Sequence, residues 1–201
     1  MDLRIGVTNA PKEITVELAD DTDVDALRAD VDRVVGGEEG AMLWLTDVYW
    51  DEPDYLLVDL PPGTGDISIS LAGFLPTAEM YVVTTPQLVA QTVAQRAAFM
   101  AEKVNLKVHG VIENMSWFTG DDGTRYELFG AGGGNSLAKR LDVPLIGQVP
   151  LVPELREGAD HGRPVAEDPT SEAGAVFAEM ARMLDVEMKP TKRRHRELKI
   201  I

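Results

Sequence analysis

The run Asp54-Tyr55-Leu56-Leu57-Val58-Asp59-Leu60-Pro61-Pro62-Gly63-Thr64-Gly65-Asp66 sets a carboxylate where an apolar segment gives way to a rigid, glycine-bearing turn. An acid at the carboxyl end of a strand can orient a magnesium ion, usually through water, beside the phosphates of a nucleotide. Pro61 and Pro62 stiffen the chain after Asp59, and Gly63 and Gly65 leave backbone amides unobstructed where a terminal phosphate could sit. The alternative is plainer: a strand followed by an ordinary Pro-Gly turn.

Three further segments carry chemistry at expected strand ends. Val83-Thr84-Thr85-Pro86-Gln87 puts a hydroxyl, Thr85, at a strand-to-helix junction. Val111-Ile112-Glu113-Asn114-Met115-Ser116 ends in an amide, and Asn114 can donate and accept together, which matches the edge of adenine. Asn114 can equally hold a turn through its own side chain. Gly147-Gln148-Val149-Pro150-Leu151 follows the last expected strand. The glycine run Phe129-Gly130-Ala131-Gly132-Gly133-Gly134 is followed by no lysine and does not follow a buried strand, so it reads as a tight turn into a helix rather than a phosphate-cradling loop.

The elements that must position these groups alternate. Short apolar runs rich in branched residues, separated by helical patterns, predict buried parallel strands over 55–59, 80–84, 108–113 and 145–149. Helices are expected over 88–104, where Val89, Val93, Ala97 and Met100 recur at helical spacing, and over 136–141 and 172–184. A shorter one follows Asp66, with Ile67, Leu71 and Phe74 on one side. This order implies βαβ units with ligand-binding loops at the carboxyl ends of the strands. The amino-terminal part reads as a small ββαβ-like piece: strands over 3–7 and 13–18, a helix carrying Val24, Leu27, Val31 and Val34, and a third strand over 42–46. Three regions result: 1–47 as a small module, 48–186 as the α/β portion and 187–201 as a basic, solvated tail with Lys192, Arg193, Arg194 and Arg196.

Composition narrows the function. With 201 residues and 44% hydrophobic content the chain can bury one substantial core. A formal charge of -15 opposes general nucleic-acid binding, since phosphates would be repelled. There is no cysteine, so thiolate nucleophiles, disulfides and thiolate metal sites are excluded. No run of 18 or more apolar residues occurs and the amino terminus lacks a basic-then-apolar leader pattern, which leads to the expectation of a cytoplasmic protein without a membrane span.

The five segments, in this order from about residue 46 to 184, resemble the Mrp-type iron-sulfur cluster carrier ATPases, a branch of the deviant P-loop NTPases that also includes the septum-positioning and partition ATPases. Pro61-Pro62-Gly63-Thr64-Gly65-Asp66 is similar to the Mrp switch segment, whereas the septum and partition relatives usually have a shorter Pro-Ala-Gly version. The resemblance implies a three-layer α/β fold with a mostly parallel sheet of the P-loop NTPase type, incomplete at its amino-terminal side. It implies ATP and magnesium as cofactors, with Asp59 as the Walker B acid and magnesium partner. Gly63, Thr64, Gly65, Thr85, Asn114 and Pro150 would line the nucleotide. It also implies ATP hydrolysis, a homodimer, and iron-sulfur assembly or apo-target proteins as partners, with no nucleic acid and no membrane involved.

Two departures from that pattern matter. The ATPases it resembles hold phosphates with an amino-terminal Gly-rich loop containing a lysine. This sequence has no Gly-Lys dipeptide, and Lys12 is the one lysine before Asp59. The family's Cys-x-x-Cys pair, expected after the Glu-Asn-Met segment, is replaced by Trp117-Phe118-Thr119-Gly120-Asp121-Asp122-Gly123, so thiolates cannot hold a cluster there. Three functions therefore compete: a nucleotide-controlled assembly factor, a non-catalytic truncated or fused interaction module, and a partition- or septum-type ATPase. Without its first βαβ unit the sheet would have an open edge, which the strand over 3–7 could fill.

Overall fold

A computed structural model describes residues 4–6, 13–15, 54–60 and 66–188. The chain divides into two compact units, one comprising Met1–Ala78 with Lys103–Leu106 and the other Glu79–Glu102 with Lys107–Ile201. In the first, β1 (Arg4–Gly6) and β2 (Glu13–Thr15) pair antiparallel, Arg4 opposite Thr15. Among the described residues they form a two-stranded sheet, and the pairing recorded for β1 is with β2. The helix expected to carry Val24 to Val34, the strand over 42–46 and the basic tail from residue 189 lie outside the described residues. Helix α1 (Asp66–Phe74) forms where expected, with Ala72 buried and Phe74 exposed.

The expectation for residues 55–59 needs correction. The run is irregular, and among the described residues no strand pairs with it. Leu57 is 79% exposed. Branched and aliphatic side chains favour a strand only when a neighbouring ladder takes up the backbone hydrogen bonds and a layer covers the side chains.

The second unit has the expected alternation. Strand β3 (Glu79–Thr84) is followed by α2 (Leu88–Lys103), β4 (Lys107–Glu113), a short hairpin of β5 (Phe118–Thr119) and β6 (Arg125–Tyr126), α3 (Gly133–Leu141), β7 (Leu145–Gln148), α4 (Pro153–Asp160) and α5 (Glu172–Arg182). A 3-10 turn at Val165–Glu167 precedes α5, and a π turn at Met183–Glu187 extends it. The sheet runs β3-β4-β7, parallel throughout. Along β4, alternation sends Val111 to one face and Ile112 to the other. On the first face Val82 and Val111 pack with Ala94 and Ala98 of α2 and Leu137 and Ala138 of α3. On the second, Ile112, Ile146 and Val149 meet Leu155 of α4 and Val176, Phe177 and Met180 of α5. This is the three-layer α/β arrangement, with a parallel sheet between helical layers.

Helix α2 turns a different face inward from the one its branched residues suggested. Gln91, Ala94, Ala98 and Ala101 are buried, whereas Val89 and Val93 are exposed. Small side chains let the helix lie close on the sheet, and Gln91 is admitted because its Nε2 donates to the Pro86 carbonyl at 3.0 Å.

Candidate functional site

The three parallel strands end together, and their exits are tied by backbone bonds. The Asn114 amide donates to Thr84 O at 2.7 Å, joining the ends of β3 and β4. Val149 N donates to Glu113 O at 2.7 Å and Ser116 N to Val149 O at 2.9 Å, joining the ends of β4 and β7. Three of the expected site residues, Thr85, Asn114 and Pro150, therefore share the carboxyl edge of one sheet, the place where open α/β sheets receive ligands.

Each has its own setting. The Thr85 hydroxyl donates to Gln87 Oε1 at 3.1 Å. Pro150 is fully buried, so it steers the chain and offers its backbone rather than its ring. Asn114 accepts from the Met115 amide through Oδ1 at 2.8 Å, and Met115 has a φ of 56°, in the left-handed region. The turn-holding role thus engages the carbonyl end of the Asn114 side chain and leaves its NH2 end as the group that can meet a ligand. Asp59, in the other unit, is exposed, and Gly63, Thr64 and Gly65 lie outside the described residues.

The side chain that sequence reasoning passed over is Glu113. It is among the largest fully enclosed side chains, 1% exposed. Its Oε1 accepts from Ser116 Oγ at 2.9 Å and from Gln148 Nε2 at 2.7 Å, while Oε2 accepts from the Gly134 amide at the start of α3. The glycine run now has a physical reason. Gly132, the N-cap of α3, has a φ of 73° and contributes no side-chain cap, so Glu113 supplies the acceptor that the first turn requires. A Cβ at Gly133 would lie 2.3 Å from the Pro86 carbonyl oxygen, and one at Gly134 would lie 2.7 Å from Glu113 Cβ. Only glycine lets the helix start approach that closely. The signal was present in the sequence as Glu113 beside Asn114 and as the triple glycine, but nothing in either segment says that they meet.

Where a Cys-x-x-Cys was expected, the chain makes the β5-β6 hairpin. Gly120 N donates to Thr124 O at 2.9 Å across the turn, and Asp122 accepts from the Thr124 amide and hydroxyl, both at 2.9 Å. Those bonds hold the Asp122 carboxyl below the usual aspartate range. The base of the hairpin is anchored by Glu172 at the start of α5, which accepts from Trp117 Nε1 at 2.9 Å, from the Thr119 hydroxyl at 3.1 Å and from Arg125 Nη2 at 3.2 Å. Arg125 also stacks over the Trp117 ring, 4.4 Å from its centroid. Among the described residues no group of three or more His, Cys, Asp or Glu side chains is placed to hold a metal ion. No described helix is long and apolar enough to cross a membrane.

Comparison with known proteins agrees with this geometry. The iron-sulfur cluster carrier protein of Mycobacterium tuberculosis (strain ATCC 25618 / H37Rv) is 51% identical over 145 residues, covering 69% of this chain and 38% of the relative. That of Pseudomonas fragi is 43% identical over 145 residues, covering 71% of this chain and 50% of the relative. The chain thus spans half or less of the length of these relatives. Among solved structures, a nucleotide-binding protein in complex with ADP from Archaeoglobus fulgidus aligns with a TM-score of 0.61 and 32% identity, covering 73% of this chain and 60% of that one. The cell-division ATPase MinD of Pyrococcus furiosus aligns with a TM-score of 0.55 at 20% identity, over 84% of this chain and 63% of that one, and shares the fold. A family model described as ParA: NUBPL iron-transfer P-loop NTPase matches residues 40–185, and this chain belongs to that family.

Proposed function

We propose that the chain is the base-recognising portion of a nucleotide-responsive iron-sulfur cluster assembly factor, in which Asn114 reads adenine and the strand-end loops pass the state of the nucleotide to a partner protein. The observation that supports this most directly is the convergence of Thr85, Asn114 and the segment before Pro150 at one sheet edge, joined by the bonds from Asn114 N to Thr84 O and from Val149 N to Glu113 O. The described donor set fits the base side of a nucleotide, because Asn114 presents an NH2 group where a ring nitrogen or carbonyl could accept. Magnesium needs few protein ligands when phosphates and water supply the rest, so one carboxylate such as Asp59 is a sufficient donor. Gly63, Thr64 and Gly65 would receive the terminal phosphate, with backbone amides as donors. Bound nucleotide would supply the energy difference between partner-accepting and partner-releasing states; the cluster itself is cargo held by other ligands, since this chain has no thiolates. Hydrolysis, a homodimer, cytoplasmic location and apo-protein targets belong to the same reading.

Calorimetric titration of the full chain with magnesium-ATP tests it. Saturable binding, weakened about tenfold or more by Asn114→Ala and reduced by Asp59→Ala, is the expected result. A folded chain that takes up no heat with ATP would overturn it. In that case the second reading, a non-catalytic interaction module, becomes the better one; the exposed Leu57 side chain and the absence of a Gly-Lys dipeptide favour it. A partition or septum role has only the shared fold behind it, and fold alone does not carry function.

A further inference from the structure

We infer that Glu113 is the positioning residue of this site, setting the orientation of the Asn114 amide from a buried carboxylate that three elements share. The inference rests on the nucleotide reading for its functional consequence, while the positioning itself rests on geometry. Three elements converge on one side chain: the turn after β4 through Ser116, the end of β7 through Gln148, and the start of α3 through Gly134. The single Ser116 hydroxyl proton lies between two acceptors of the same residue, Glu113 Oε1 at 2.9 Å and Glu113 O at 3.1 Å. Closing the turn at Ser116 confines Met115 to its left-handed conformation, and in that conformation the Met115 amide reaches Asn114 Oδ1. The chain of constraint therefore runs from the carboxylate, through Ser116 and Met115, to the Asn114 side chain.

Only a carboxylate accepts from all three donors as they stand. A glutamine at 113 would turn one oxygen into an NH2 group. With that NH2 toward α3 it would face the Gly134 N–H and strand it; with the NH2 toward β7 it fits only if the Gln148 amide flips and the Ser116 hydroxyl turns from donor to acceptor. Glu113→Gln thus disturbs the positioning, by reversing the contacts with Ser116 and Gln148 and replacing a carboxylate acceptor at Gly134 with an amide one, while nearly preserving size and shape.

The test is nuclear magnetic resonance of the 15N-labelled full chain, wild type beside Glu113→Gln and Ser116→Ala, with magnesium-ATP and magnesium-GTP titrations on the same samples. In the wild type the Gly134 amide proton should lie well downfield, as a charge-assisted donor does. In Glu113→Gln it should move upfield, and exchange of the Met115 amide should speed up by about tenfold or more. Ser116→Ala leaves the contact between Gly134 and Glu113 in place, so it should speed Met115 exchange without moving the Gly134 resonance. That variant decides the matter if Glu113→Gln does not fold. If the wild type prefers ATP to GTP, both variants should lose most of that preference. Unchanged Met115 exchange in the folded variants overturns the inference. A wild type that binds neither nucleotide overturns the functional reading alone, because the Met115 exchange still shows whether Glu113 positions Asn114.

Discussion

Asp59 and Glu113 occupy similar sequence settings and opposite physical ones. Each closes an apolar run, Leu56-Leu57-Val58 in one case and Val111-Ile112 in the other, and each precedes a turn. Asp59 is exposed on a run that makes no ladder among the described residues. Glu113 ends a strand paired on both sides, with β3 and β7, and is enclosed by donors from three elements. An acid at the end of an apolar run is thus exposed in one place and an internal structural acceptor in the other. The neighbours decide which.

Removing the acceptor should produce the largest effect. Glu113→Ala leaves the Gly134 amide, Ser116 and Gln148 without their shared partner, and stranded buried donors cost about 1–3 kcal/mol each before relaxation. A loss of roughly 3 kcal/mol in urea-induced unfolding is expected. A change below about 1 kcal/mol would mean that the end of β4 is no better determined than the run before Asp59.

The hairpin anchor lies between these extremes, because Glu172 is partly exposed and its ion pair with Arg125 is screened. Glu172→Ala should cost no more than about 1 kcal/mol. It should nevertheless loosen the hairpin, read as a red shift and faster quenching of Trp117 fluorescence once Trp44 and Trp50 are replaced by phenylalanine. Emission identical to that of the parent would show that the hairpin holds without its anchor.

The smallest effect belongs to the run before Asp59. Leu57→Ser, at a side chain 79% exposed, should change the unfolding free energy by less than about 0.5 kcal/mol. The same kind of change at Val111, which has no exposure, should be severe. If Leu57→Ser proves as damaging as Val111→Ser, the run is covered in solution and the contrast between the two carboxylates disappears.

Much of the second unit was legible from residue order alone. The strand ends at Thr84 and Glu113 and the helix beginning at Leu88 were read correctly, because alternation and turn residues act locally, whereas α3 begins at Gly133, inside the glycine run and three residues before the expected start. The motif order that marks the family is also a property of the chain by itself. What sequence could not supply was reciprocal environment. The branched residues of α2 pointed to the wrong face, since the approach of a helix to a sheet rewards small side chains such as Ala94 and Ala98 over larger ones. The short hairpin and α4 escaped notice because two-residue strands and an eight-residue helix carry little periodic signal.

The sequence by itself determined the residue types available for chemistry: no thiolates, strand-end amides at Asn114 and Gln148, and a carboxylate at each of two run ends. Tertiary structure alone decided that Glu113 is an internal acceptor, that Asn114 presents its NH2 end, and that Gly133 and Gly134 are glycines for close approach. Chemical type travels with the residue, whereas burial, hydrogen-bond partnership and orientation are set by segments that are distant in the chain and adjacent in space.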